Sequence, residues 1–321
     1  MRVVVTGGCG FLGQRVALKL LERSEVEELV LFDNAAPATP LPNDNRLRLV
    51  TGDVADRETV RAAILPGITA VFHLAAVVSG QAEADTDLGC RVNLDGTRTV
   101  LDACRALGTC PRVIFASSLA VYGGELPPAV GDDTVLTPQT SYGTQKAIGE
   151  LLVNDYSRKG FVDGRAARLP TVVVRPGRPN RAASAFASSI IREPLAGREA
   201  ICPVSPDTVM ALASPRRIVE GLLRAHDLPA DAFGTNRSLQ LPGFSVAVGE
   251  IAAAVRRAGG EAARARIRWE PDPQIQQIIS GWPQALSATR AEALGFAADS
   301  GIDEVVQAFI EDDLERQKQL A

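Results

Sequence analysis

The feature that most constrains this chain stands at its start, where the apolar run Val3-Val4-Val5 passes directly into Thr6-Gly7-Gly8-Cys9-Gly10-Phe11-Leu12-Gly13. Glycines at 7, 10 and 13, between a strand and an amphipathic stretch, permit a tight turn. They also let backbone N–H groups approach a pyrophosphate at the positive end of the helix. A glycine triplet alone is weak evidence, but Asp33 ends the next apolar run, twenty residues beyond Gly13. A carboxylate there accepts hydrogen bonds from the adenine ribose hydroxyls. Its charge repels the extra phosphate of NADP, and the following residue is Asn34 rather than arginine. The expected cofactor is therefore NAD, held by Gly7, Gly10, Phe11, Leu12, Gly13 and Asp33.

The same rhythm continues downstream. Short apolar runs at 2–6, 29–33, 46–51, 70–74, 112–117 and 168–174 alternate with amphipathic stretches at 12–23, 56–64, 88–107 and 141–159. Alternation of this kind predicts an α/β fold, a doubly wound parallel sheet of the Rossmann type, over residues 1–175. Strands that are almost wholly apolar are those covered on both faces. The stretch Asp53-Val54 after the third strand suits an adenine edge, and Leu74-Ala75-Ala76 after the fourth suits the side of a pyrophosphate. His73, at that strand end, reads as a packed histidine. After Val174 the chain breaks into Arg-Pro-Gly-Arg-Pro-Asn, and residues 176–321 read as a smaller C-terminal α/β substrate lobe. In that part helices are expected at 216–225, 246–258, 288–294 and 302–317 and strands at 238–241 and 267–269, with 216–241 returning to the nucleotide domain.

Composition removes several classes of function. Lys and Arg number 34 against 38 Asp and Glu, giving a net charge of -4 without a basic block, so no nucleic acid or anionic membrane partner is implied. No apolar run reaches the roughly 18 residues of a membrane span, and the N-terminus enters a strand without a signal-peptide layout. A soluble, cytoplasmic chain is expected. Five cysteines without CxxC spacing suggest neither a disulfide framework nor a zinc site, and two histidines argue against a His-rich metal site. The chemistry must run on another group.

Ser141-Tyr142-Gly143-Thr144-Gln145-Lys146 supplies one, because four-residue spacing puts Tyr142 and Lys146 on one helix face. A free phenol titrates near pH 10, so a tyrosine base at neutrality needs a shift of about three units, roughly 4 kcal/mol. A neighbouring ammonium favours the phenolate. The stretch Ala116-Ser117-Ser118-Leu119-Ala120-Val121-Tyr122-Gly123 places two hydroxyls at the carboxyl edge of the fifth strand, and either serine suits a substrate oxygen there.

Taken in this order, the glycine loop, Asp53, the Ser-Ser-x-x-Val-Tyr-Gly stretch, the Tyr-x-x-x-Lys pair, Arg168-Leu169-Pro170-Thr171-Val172 and the late 288–296 segment resemble the extended short-chain dehydrogenase/reductase family, also called the NAD-dependent epimerase/dehydratase family. The resemblance implies that Tyr142 is the general base, Lys146 its partner and a ribose ligand, and Ser118 the substrate serine, with Ser117 the alternative. It places Pro170 beside the nicotinamide amide and implies a homodimer. Many relatives act on nucleotide sugars, and an epimerase or dehydratase with tightly bound NAD is the alternative reading. The region 207–217, however, lacks the Arg-Asp pair and the histidine that such enzymes carry before the second lobe. Arg175, Arg178 and Arg181 instead lie in a proline- and glycine-fixed loop that suits a small carboxylate, with Arg175 and Arg178 the expected ligands. This loop is similar to that of a sugar-acid branch of the family. The branch implies NAD-dependent oxidation of the hydroxyl next to the carboxylate of a four-carbon sugar acid, D-erythronate giving 2-oxo-erythronate.

Overall fold

The computed structural model of the chain describes residues 1–37, 39–177 and 183–319. Its main sheet has seven strands. Five come early: β1 (Arg2–Thr6), β2 (Glu28–Asp33), β3 (Leu47–Thr51), β4 (Ala70–His73) and β5 (Arg112–Ser118). The strands Asp163–Leu169 and Ser238–Gln240 complete it. The spatial order is Ser238–Gln240, Asp163–Leu169, β5, β4, β1, β2, β3, with β1 parallel to both β2 and β4. The winding thus reverses between β1 and β4, which is where ligands of open parallel sheets bind, at the carboxyl ends of the strands. Val4, Val30, Phe32, Val71 and Phe115 from the strands pack with Val100, Leu101 and Val153 from the flanking helices.

Close contacts divide the chain into two units: residues 1–121, 140–168 and 219–239 in the first, and residues 122–139, 169–218 and 240–321 in the second. The second has its own core, in which Ile190, Ile191, Leu212, Val248, Ile251, Val255 and Val305 are buried. These come from the helices Ala185–Leu195, Val248–Arg264 and Ile302–Asp312 and the strand Val209–Ala213. No helix among the described residues is long and apolar enough to cross a membrane.

Three expected elements are placed differently. The strand expected at 168–174 is two strands: Asp163–Leu169 in the main sheet, then, past Pro170, Thr171–Val172 beside Val209–Ala213 in a three-stranded sheet. Arginines inside the first strand conceal it in the sequence. Arg165 is wholly buried because Asp163 and the carbonyls of His226 and Leu228 take its donors, the latter two at 2.9 and 2.6 Å. The stretch expected as one helix at 88–107 is helical at Thr86–Gly89, widens to a π turn at Cys90–Asp95, and resumes at Gly96–Ala106. The helix expected at 246–258 begins at Val248, after the strand Phe244–Ala247, and the helical run to Arg264 is broken by a kink at Gly260, where φ is +75.

Candidate active site

The glycine loop is built so that side chains are excluded. Gly7 has φ +69, and a Cβ there would stand 2.7 Å from the Ala75 nitrogen; a Cβ on Gly13 would stand 2.1 Å from the Gly7 carbonyl oxygen. Glycine at 7 thus supplies a left-handed turn, and glycine at 13 lets the helix α1 (Phe11–Leu21) lie against the turn. Gly10 caps α1 without a side-chain hydrogen bond, so the first-turn N–H groups are left for another acceptor. The loop meets two other predicted segments here: Asp33 accepts from the Cys9 N–H at 3.0 Å and from the Ala35 N–H at 3.1 Å, and Leu74 and Ala75 back Gly7. An uncapped helix start, a cradle that a single Cβ would fill and a strand-end carboxylate together fit a dinucleotide.

Asp53 lies after β3 and accepts from the Ala55 N–H at 2.9 Å, while Arg91 of the π turn is paired with its other oxygen. Burial opposes ionisation there, but the Ala55 and Arg91 hydrogen bonds outweigh it and hold the carboxyl below its ordinary value. Val54 packs against Gly96, whose Cβ would stand 2.7 Å from it.

Tyr142 and Lys146 sit in the first turns of the helix Ser141–Arg158, which Thr140 caps by accepting from the Gly143 N–H at 3.1 Å. The Lys146 ammonium lies 5.7 Å from the Tyr142 ring centre and 4.7 Å from that of Phe115, and donates to the Ala116 carbonyl at 2.8 Å. Burial lowers its pKa to about 8, with the charge of Glu150 opposing the shift. The two serines differ. Ser117 is buried and donates to Glu150 at 2.5 Å, whereas Ser118 is half-buried at the strand end and accepts from the Ala120 N–H at 3.1 Å. The Ser118 hydroxyl proton is not engaged in that bond.

His73 belongs to a buried chain of hydrogen bonds. Thr97 donates to the Asn93 carbonyl at 2.6 Å, so it accepts from His73 Nε2 at 3.0 Å; Thr6 accepts from the Ala75 N–H at 3.3 Å and donates to His73 Nδ1 at 2.7 Å. The polarity fixes the neutral Nε2–H tautomer. Burial, with a smaller contribution from the Lys146 charge, pushes its pKa down to about 3, so it is no proton carrier near neutrality.

Pro170 and Arg175 fall in the second unit. Pro170 is buried against Gly243; the Arg175 N–H donates to Ser188 at 3.0 Å and its carbonyl accepts from Arg192 at 2.8 Å. Arg178 and Arg181 lie outside the described residues. Sequence reasoning missed Glu150 and Arg91, and it quoted Arg168 only as the start of a motif, without its pairing to Glu150. Glu150 carried a signal, since it follows Lys146 by four residues as Lys146 follows Tyr142.

A switch-point glycine cradle, a strand-end acid and a Tyr-Lys pair on one sheet edge define a nucleotide-dependent enzyme class, and the chain belongs to the NAD dependent epimerase/dehydratase family, matching it over residues 3–228. Within it, the chain is 53% identical over 321 residues to a D-erythronate dehydrogenase of Cupriavidus necator, spanning 97% of this chain and 98% of the relative. It is 46% identical to a D-erythronate dehydrogenase of Haemophilus influenzae, over 98% of this chain and all of the relative. A crystal structure described as a nucleoside-diphosphate-sugar epimerase from Agrobacterium tumefaciens superposes with a TM-score of 0.93 at 42% identity, covering 98% of this chain and 95% of the other.

Proposed function

We propose that this chain is an NAD-dependent dehydrogenase that oxidises the 2-hydroxyl of D-erythronate to 2-oxo-D-erythronate. The observation that carries the chemistry is the Tyr142–Lys146 pair, with an ammonium 5.7 Å from the phenol ring and Ser118 at the end of the neighbouring strand. The substrate assignment is supported by the two relatives of that activity at 46–53% identity over nearly the full length.

In this reading Gly7, Gly10, Phe11, Leu12 and Gly13 hold the pyrophosphate of NAD, and Asp33 holds the adenosine ribose. Asp53 and Val54 border the adenine, Leu74, Ala75 and Ala76 run beside the pyrophosphate, and Pro170 lies by the nicotinamide. The chemistry that NAD would supply there is that of a hydride acceptor for the carbinol carbon. Ser118 donates its free proton to the substrate oxygen and orients it. Tyr142, as phenolate, removes the hydroxyl proton, and the Lys146 charge lowers the cost of that phenolate. Arg175 and Arg178 are assigned to the substrate carboxylate. Residues 1–175 then form the cofactor domain and 176–321 the substrate lobe, with 216–241 returning, in a cytoplasmic homodimer.

Incubation with D-erythronate and NAD should give the absorbance of the reduced cofactor, and Tyr142→Phe should lose it by about a thousandfold while NAD binding is retained. Retained turnover in that variant removes Tyr142 from the mechanism. The epimerase reading, favoured by the name of the 42% identical structure, predicts isomerisation of a nucleotide sugar without net cofactor reduction in the same assay.

A further inference from the structure

Beneath the proposed base, three full charges are almost completely removed from water: Lys146, Glu150 and Arg168 are only 3%, 3% and 4% exposed. Such burial is tolerated only where charges compensate one another and donors meet acceptors. Arg168 donates from Nε to both Glu150 oxygens, at 3.0 and 3.1 Å, and from Nη2 to Oε2 at 2.7 Å; Ser117 adds its 2.5 Å bond to Oε1. The carboxylate is therefore immobilised from two strands. It stands one turn along the helix from Lys146, on the same face.

Lys146 itself meets little that compensates its charge. Tyr142 and Glu150 face it from its own helix, the Ala116 carbonyl and the Phe115 ring from β5, and His73 from β4. Of these, Glu150 alone is a carboxylate, and its charge opposes the effect of burial on Lys146. We propose that Glu150 is a positioning residue: held between Arg168 and Ser117, it supplies the counter-charge that keeps the buried Lys146 ammonium in place beside Tyr142. Its own oxygens are occupied by Arg168 and Ser117, so it acts through Lys146 and not on a substrate. The proposal rests on the reading of Lys146 as the partner of Tyr142. Removing the carboxylate removes the influence that holds Lys146 up against burial, so the lysine should lose its proton at lower pH, and above that pH Tyr142 should lose its cationic neighbour.

The chain has four lysines, at 19, 146, 159 and 318, so the Lys146 side chain can be followed by NMR in cofactor-free protein carrying isotope at the lysine ε-carbon and Nζ. The expected result for Glu150→Gln is a Lys146 titration midpoint about one pH unit or more below that of the unmodified protein, a tenfold change in acid constant. The falling limb of kcat/KM against pH should move down by the same amount. Glu150→Gln takes the carboxylate away from Arg168 in the interior; where it fails to fold, Glu150→Gln/Arg168→Met removes both charges and should still lower the Lys146 midpoint, by less than the single variant. An unchanged or raised midpoint in a folded variant overturns the proposal, since a purely structural role for Glu150 would cost stability without moving that titration. Failure of the dehydrogenase reading would show instead as absent turnover of D-erythronate, with the lysine titration still legible.

Discussion

Ser117 donates a 2.5 Å hydrogen bond to Glu150, and this bond separates the roles of two adjacent serines. The strand turns alternate side chains to opposite faces. Ser117 therefore faces the buried carboxylate, and Ser118, which accepts the Ala120 N–H, keeps a proton for the edge of the sheet.

Replacement of each serine should separate the two roles. Ser118→Ala should lower kcat by about a hundredfold with little change in melting temperature, since it removes a donor aimed at a developing charge. Ser117→Ala should keep kcat within a few-fold and destabilise the fold by about 1–3 kcal/mol, because it strips a donor from a buried carboxylate. Steady-state kinetics and urea unfolding on the two variants decide it; the reverse pattern would assign the substrate to Ser117.

The nucleotide loop gives a second expectation. Gly13→Ala pushes a methyl group to 2.1 Å from the Gly7 carbonyl oxygen, which is backbone and has no rotamer to yield. Helix α1 must move off the turn, and its uncapped N–H groups with it. NAD affinity should fall at least tenfold by calorimetry, while a protein that binds NAD as tightly as before would show that the first turn of α1 is not the phosphate site.

Much of this was legible in the sequence, because glycine spacing, strand-end acids and a four-residue helical repeat are local patterns with fixed geometry. The early strands and the helix that carries Tyr142 and Lys146 follow from such patterns. What stayed hidden depends on partners far along the chain. The strand Asp163–Leu169 contains two arginines that read as exposed until Glu150, Asp163 and the carbonyls around residue 226 are folded against them. The π turn at Cys90–Asp95 has no periodicity of its own; it is registered by Asn93, which bonds Val77 and Gln145. In the second unit the apolar runs are short and interrupted by proline, so the helix Ala185–Leu195, with Pro194 inside it, left no readable repeat.

In the proposed reading cofactor choice turns on Asp33, whose two oxygens accept the Cys9 and Ala35 N–H groups at the rim of the loop. Asp33→Asn keeps the shape and an acceptor oxygen while removing the charge that repels a 2′-phosphate. The ratio of kcat/KM for NADP to that for NAD should rise at least tenfold, chiefly through KM. If the ratio is unmoved, discrimination lies elsewhere in the loop after β2.

Acid sensitivity should report on His73. Its folded pKa is depressed from 6.5 to about 3, so the folded protein stays unprotonated at this site while the unfolded chain takes up a proton below pH 6.5. The linkage sign follows: stability from this group is complete above pH 6.5 and is lost as pH falls from there toward 3, by about 2 kcal/mol between pH 7 and 5. His73→Gln, which titrates in neither state, should be less stable at pH 7 for want of the Thr6–His73–Thr97 chain but lose less on acidification. His226 is also depressed by burial and is common to both proteins, so the difference between their slopes isolates His73. Urea midpoints measured every half unit from pH 7 to 5 would give that difference, and parallel slopes would mean that His73 is protonated in the fold after all.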